Sequence, residues 1–207
     1  MSVFAPDRKR NARGERRVVS LLDAAGRVFG EVGYHAATTN AIAAEAEVSP
    51  ATLYQFFPNK EAIADALVIR YARDLAKEER AADIQELASA PLEEAIRRVT
   101  GVVIEFHLKH PAFCTLYAEA PLSKDTLEQK HLLSRTFIDH LSEVLRARNP
   151  KLDKQDAFWS AEIVQTALIG FLPTLVGRKT AVRSRTIDAL NQMVARYLEP
   201  VLKPSKR

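Results

Sequence analysis

Apolar residues recur along almost the whole chain at three- and four-residue steps, the period of an α-helix. Val18, Leu21, Leu22, Ala25, Val28 and Phe29 form one such stripe, and Gly33 is placed to end that helix in the left-handed conformation. Thr38 can cap a short helix carrying Ile42, Ala43 and Ala46. After a turn at Glu47-Val48, Ser49 can cap the next helix, with Pro50 at its first position, where a missing N–H costs nothing. Pro58 stops that helix, Asn59 caps another, and Ile63, Leu67 and Tyr71 share one of its sides. The charged stretch that follows, with "AADIQELASAP", reads as a boundary near residues 75–90. Pro91 opens a helix to about Lys109, Pro111 breaks it, and "AFCTLYAEA" is a short apolar helix. Leu133, Phe137, Leu141 and Leu145 mark a long helix ending at "RNP", and two more follow at about 153–177 and 184–202. No segment alternates as a strand does. The expectation is an all-α protein of about nine helices.

The 207 residues suffice for one or two domains with a real core, and 7 glycines against abundant Ala and Leu favour helices over sheet. One cysteine leaves no internal disulfide and fits a reducing cytoplasm. No uninterrupted apolar run approaches the roughly 20 residues of a membrane span, and "MSVFAPDRKR" lacks the apolar run of a secretory signal. The net charge of +4 is compatible with nucleic acid. Its distribution says more, because Arg8, Lys9, Arg10, Arg13, Arg16 and Arg17 crowd the first 17 residues. Such a run is either a solvated tail or an arm along a phosphate backbone.

The two short helices around Glu47-Val48 make a helix-turn-helix. Val48, Leu53 and Phe57 can point inward to lock the second helix. Pro50, Ala51, Tyr54 and Gln55 then face outward, with Thr52 close to the interior side. In this motif the outward face enters the major groove. Small Pro and Ala allow close approach, Gln reads adenine bidentately, and a Tyr hydroxyl bonds a phosphate.

These residues carry a resemblance. "FGEVGYHAATTNAIAAEAEVSPATLYQFFPNKEAI" (29–63) resembles the DNA-binding region of the TetR family of bacterial transcriptional regulators, without a gap over about 40 residues. Two positions depart from that pattern: Glu47 and Ala51 stand where family members commonly carry Gly. A non-Gly residue in a left-handed turn is costly, and a carboxylate there sits near DNA. The resemblance implies three domains: a basic arm (1–13), a helix-turn-helix domain (14–62), and a helical domain for effector binding and dimerisation (63–207). It implies DNA contacts from Thr38, Thr39, Asn40, Pro50, Ala51, Thr52, Tyr54, Gln55 and Lys60, the last at a helix N-terminus suited to phosphate.

The resemblance also implies a homodimer on double-stranded operator DNA. Ser160, Val164, Ala167, Gly170 and Thr174 form a small-residue stripe for pairing, and Ile187, Leu190, Val194 and Leu198 an apolar one. Either stripe could instead be internal core. A small-molecule effector, apolar or aromatic, would sit among Phe106, His107, Phe113, Cys114, Tyr117, Phe137 and Trp159, and its signal would reach the DNA through the helix of residues 60–79. No metal or other cofactor is expected: His107, His110 and Cys114 lack a zinc-type spacing, and no catalytic motif is present. The function implied is a cytoplasmic, effector-responsive transcriptional regulator, most often a repressor. The alternative is a helical interaction module that has lost DNA binding.

Overall fold

The computed structural model describes residues 12–175 and 178–203, so the basic arm lies outside the described residues apart from the start of the first helix. Among the described residues there are ten helices and no strand. They are α1 (Ala12–Ala36), α2 (Thr39–Glu45), α3 (Pro50–Tyr54), α4 (Lys60–Glu79), α5 (Ile84–Ser89), α6 (Leu92–Lys109), α7 (Pro111–Glu119), α8 (Lys124–Arg148), α9 (Lys154–Leu175) and α10 (Thr180–Leu202). The helix not expected is α5, which lies in the charged stretch that reads as a boundary. Its signal is local: the Asp83 carboxylate accepts the Glu86 N–H at 2.9 Å, an N-cap in the D-x-x-E pattern.

The chain forms two compact units. The first comprises the described part of Met1–Ala72 together with His110–His131; the second comprises Arg73–Lys109 and the described part of Leu132–Arg207. The expected boundary at 62/63 lies within the first unit. The division falls inside α4, and α7 joins the first unit because it packs along α1. The chain therefore passes between the units three times, and α4 is not the sole connection.

In the first unit, Leu21, Ala25 and Phe29 of α1 are buried, as are Ile42 and Ala43 of α2, Leu53 of α3, Ile63 and Leu67 of α4, and Ala112, Phe113 and Leu116 of α7. Close seating of α7 on α1 depends on Gly30. A Cβ there would come within 3.2 Å of Pro111 Cγ and 3.5 Å of the Ala112 nitrogen. At Gly33 α1 is broken, with φ 79° and ψ 169°. The positive φ was expected, but this ψ lies outside the left-handed helical region, in a region essentially reserved for glycine. One more helical turn follows instead of a helix stop.

In the second unit, α6, α9 and α10 pack against one another. Their buried faces carry Ile96, Thr100 and Val103; Ala157, Ala161, Val164, Leu168 and Leu172; and Leu190, Val194 and Leu198. Leu87 of α5 joins Ala95 and Val144 in a smaller cluster. Polar bonds tie the ends. The Arg148 guanidinium donates to the carbonyls of Leu87 (2.6 Å) and Ala90 (2.8 Å), capping the end of α5. Thr100 Oγ1 lies 2.8 Å from Asn191 Oδ1, joining α6 to α10. By length and composition α9 could cross a bilayer, yet one of its faces is buried in this helical packing.

Candidate nucleic-acid interface and ligand crevice

The helix-turn-helix is assembled by local capping. Thr38 is extended, and its Oγ1 accepts the Ala41 N–H at 3.1 Å, which starts α2. Ser49 Oγ accepts the Thr52 N–H at 3.1 Å and pairs with Thr52 Oγ1 at 2.9 Å, which starts α3 with Pro50 in its first turn. Between them Glu47 takes φ 54°, the only positive φ outside glycine among the described residues. An L residue there costs about 1–2 kcal/mol. Leu53 and Phe57 point inward as expected, while Val48 is only half-buried.

With those side chains turned in, Thr38, Asn40, Pro50, Ala51, Tyr54 and Gln55 are exposed on α2 and α3, and Thr39 and Thr52 are half-buried. Thr39 Oγ1 and Tyr54 OH lie 2.9 Å apart and bridge the two helices. Whichever hydroxyl donates in that pair, the other keeps a free O–H for a phosphate oxygen. Since α3 ends at Tyr54, Gln55 is its C-cap and does not belong to the N-terminal half of a longer helix.

Lys60 departs from expectation. Its ammonium donates to the carbonyls of Tyr34 (2.8 Å) and Ala37 (3.0 Å), with His35 at 3.5 Å, and sits 4.3 Å above the Tyr34 ring. Carbonyls at the end of a helix have no partner within it, and a cation there also meets the negative end of the dipole. Lys60 is thus a cap on the end of α1, its ammonium engaged by the carbonyls of that end. The Tyr34 hydroxyl donates to Glu61 at 3.0 Å. Burial, then the Glu61 bond and charge, pushes its pKa up to about 12. Asn59 caps α4 as expected, its Oδ1 accepting the Ala62 N–H at 2.8 Å.

The seven residues expected around an effector are divided between the two units. Phe113, Cys114 and Tyr117 lie in the first unit; Phe106, His107, Phe137 and Trp159 lie in the second. Phe106, Phe113 and Phe137 are buried, Phe113 with its ring 5.6 Å from Tyr71. Burial pushes the Cys114 thiol up in pKa, away from reactivity. Tyr117 faces outward beneath Lys130, and Trp159 is 53% exposed. His107 Nδ1 bonds the Val103 carbonyl of its own helix at 2.8 Å. The apolar crevice of the second unit is lined by different residues, among them Ile96, Thr100, Leu141, Leu145, Arg148 and Leu198, with about 20 Å³ of free space.

The expected pairing stripes need a similar correction. Ser160, Val164, Leu190, Val194 and Leu198 are buried within the chain, and Ala167 and Ile187 are half-buried. Only Gly170 and Thr174 are exposed. The buried small residues of α9, Ala157, Ser160 and Ala161, face the interior of its own chain. The opposite flank carries Trp159, Ile163 (48% exposed) and Ile169, and the outer side of α10 carries Val182 and Met193.

A capped helix-turn-helix with hydroxyls and an amide turned outward, joined to an all-helical domain, is the build of a DNA-binding transcriptional regulator. The sequence model of the "Bacterial regulatory proteins, tetR family" matches residues 21–67, and that of the "Tetracyclin repressor-like, C-terminal domain" matches residues 91–198. The chain belongs to the TetR family and is a transcriptional regulator of that type. Among curated proteins it is 29% identical over 99 residues to YhgD, an uncharacterised HTH-type transcriptional regulator of Bacillus subtilis (strain 168). That match covers 48% of this chain and 50% of the relative. It is 40% identical over 50 residues to the HTH-type transcriptional regulator UidR of Escherichia coli (strain K12), covering 24% of this chain and 26% of that one. The chain thus spans about half the length of the first relative and about a quarter of the second.

Solved structures share the fold. A transcriptional regulator from Rhodococcus sp. Rha1 superposes with a TM-score of 0.70 at 16% identity, over 91% of this chain and 99% of that one. A TetR-family regulator from Streptomyces coelicolor gives 0.68 at 20% identity, over 90% and 82%.

Proposed function

We propose that this chain is an effector-responsive repressor: a homodimer that holds double-stranded operator DNA and releases it when a small apolar or aromatic molecule enters the second unit. The observation that carries the reading is the polar, outward face of α2 and α3. Leu53 and Phe57 anchor it from within, so Pro50, Ala51 and Gln55 are free for base edges. Thr38, Thr39, Asn40 and Tyr54 supply phosphate donors, and Thr52 supports them from its bond to Ser49. A single helix-turn-helix makes few contacts, so two are needed, at half-sites about 34–36 Å apart. The uncovered flank of α9, with Trp159, Ile163, Gly170 and Thr174, and the outer side of α10 supply the pairing surface.

The crevice of the second unit supports the effector. Its 20 Å³ compares with the roughly 300–1,000 Å³ of a ligand site. A ligand must therefore part the helices to enter, and a ligand that favours the parted state shifts the equilibrium towards it. Coupling of about 1–3 kcal/mol would lower operator affinity roughly 5–150-fold, with the reciprocal effect on the ligand.

The test is selection of genomic fragments by the full-length protein, followed by salt titration on a selected duplex. Affinity falling steeply with salt supports the reading. A second reading, a helical interaction module without DNA binding, is favoured by one feature: the strained, exposed carboxylate of Glu47 beside the reading face. Failure to enrich any fragment, together with weak binding to all duplexes at low salt, would establish it instead.

A further inference from the structure

We infer that Glu119, the last residue of α7, is a positioning residue for DNA reading: its carboxylate pins the break in α1 and thereby fixes where α2 begins. The inference rests on the regulator reading above. Glu119 Oε2 accepts the backbone N–H of Tyr34 at 3.0 Å, across 85 residues of sequence. In a continuous helix that N–H would bond the carbonyl of Gly30. The φ and ψ of Gly33 break the helix there, and a side chain at Gly33 would stand in the way of the carboxylate, with its Cβ 3.2 Å from Oε2.

A carboxylate in the last turn of α7 is unfavourable for that helix, because it faces the negative end of the dipole. Helix formation alone therefore does not account for an acid at this place. A backbone donor freed by the break in α1 does, since a charge-assisted hydrogen bond is about twice as strong as a neutral one. The start of α7 is fixed as well, by the contact of Pro111 and Ala112 with α1 at Gly30. Both ends of α7 thus seat on α1, and the second seat lies four residues before Thr38.

The corner between Gly33 and Thr38 is held from two directions. Glu119 takes the N–H of Tyr34; Lys60 takes the carbonyls of Tyr34 and Ala37. The Ala37 N–H returns to the Gly33 carbonyl at 3.3 Å. Thr38 then caps α2, whose first turn presents Thr39 and Asn40. With both pins in place the first turn of α2 has one position. Without Glu119 the corner is free on one side, and hydrogen bonds to DNA weaken steeply with small errors of distance and angle. Neither pin is visible in local sequence.

The experiment uses the full-length chain with Glu119→Ala and Glu119→Gln, the latter keeping an acceptor oxygen at the same reach. Amide hydrogen exchange of Tyr34 is followed in the free protein. Affinity is measured for a duplex selected by the wild type and for an unrelated duplex, well below the melting temperature. Glu119→Ala should speed Tyr34 exchange and lower the ratio of selected to unrelated affinity, each by about tenfold, the scale of one lost charge-assisted bond. Glu119→Gln should recover most of both. Unchanged Tyr34 exchange in Glu119→Ala would overturn the pin. Faster exchange with an unchanged affinity ratio would reduce Glu119 to a purely structural contact. If the wild type itself selects no duplex, the regulator reading fails and the positioning role with it. Tyr34 exchange would then still report whether the pin exists.

Discussion

The reader corner and the three-helix packing of the second unit solve the same problem, fixing one helix against another, by opposite means. Around Gly33–Thr38 the backbone breaks, and directed polar bonds from Lys60 and Glu119 hold the freed groups. In the second unit α6, α9 and α10 meet through Ile96, Val164, Leu168, Leu190 and Val194, with few polar ties. Directed bonds set a position to within tenths of an ångström, which reading base edges demands. Apolar packing is non-directional, so helices can part around a guest at a cost spread over many weak contacts. Precision sits where the DNA is read, and adaptability sits where a ligand would enter.

The sharpest way to break this comparison is within α9. Leu168→Ala, at a fully buried position, should destabilise the chain by about 2–5 kcal/mol, read as a shift of the denaturation midpoint. Ile163→Asp on the uncovered flank should leave the folded monomer intact and split the dimer in sedimentation. A monomer–dimer balance unaffected by Ile163→Asp would move the seam off this flank.

Removing the Lys60 cap comes next. Lys60→Ala should cost about 1.5–3 kcal/mol, the range for hydrogen bonds to a charged group. The salt dependence of duplex binding should keep its slope. A slope lower by about one would restore Lys60 to the phosphate-contact role.

Glu79 sharpens the contrast from the other side, as a half-buried acid at the C-terminal end of α4. Burial pushes its pKa up to about 8 from 4.5. The folded state then holds a proton that the unfolded state has lost, so stability falls as pH rises from 4.5 through 8 and levels above that. Glu79→Gln should flatten this part of the pH–stability curve; an unchanged slope would assign the pH dependence to other groups.

The smallest effect belongs to Glu47. Glu47→Gly relieves the positive φ, and after the extra entropy of glycine is subtracted should gain about 1 kcal/mol or less. Duplex affinity should rise with the loss of a carboxylate near phosphate, and a fall would show that Glu47 supports the turn.

What the sequence determined by itself is the part of the fold governed by neighbours in the chain. Thr38, Ser49 and Asn59 cap the helices they were expected to cap, because a capping side chain reaches only two or three residues along. The inward turn of Leu53 and Phe57 follows from helical period, and the signal for α5 lies in Asp83 and Glu86, inside a stretch whose charge suggests a boundary. The tertiary structure alone decided which side of α9 is core. A stripe of small residues suits a neighbouring helix in the same chain as well as one in a partner, and periodicity reports a face without naming what covers it. It alone decided that Lys60 turns to the carbonyls of α1, since an exposed helix start and a helix end 23 residues earlier compete for one ammonium. The bond from Glu119 to Tyr34 lies furthest from local reading, because α7 must first be folded back onto α1, over the bare backbone of Gly30, before the acid has anything to hold.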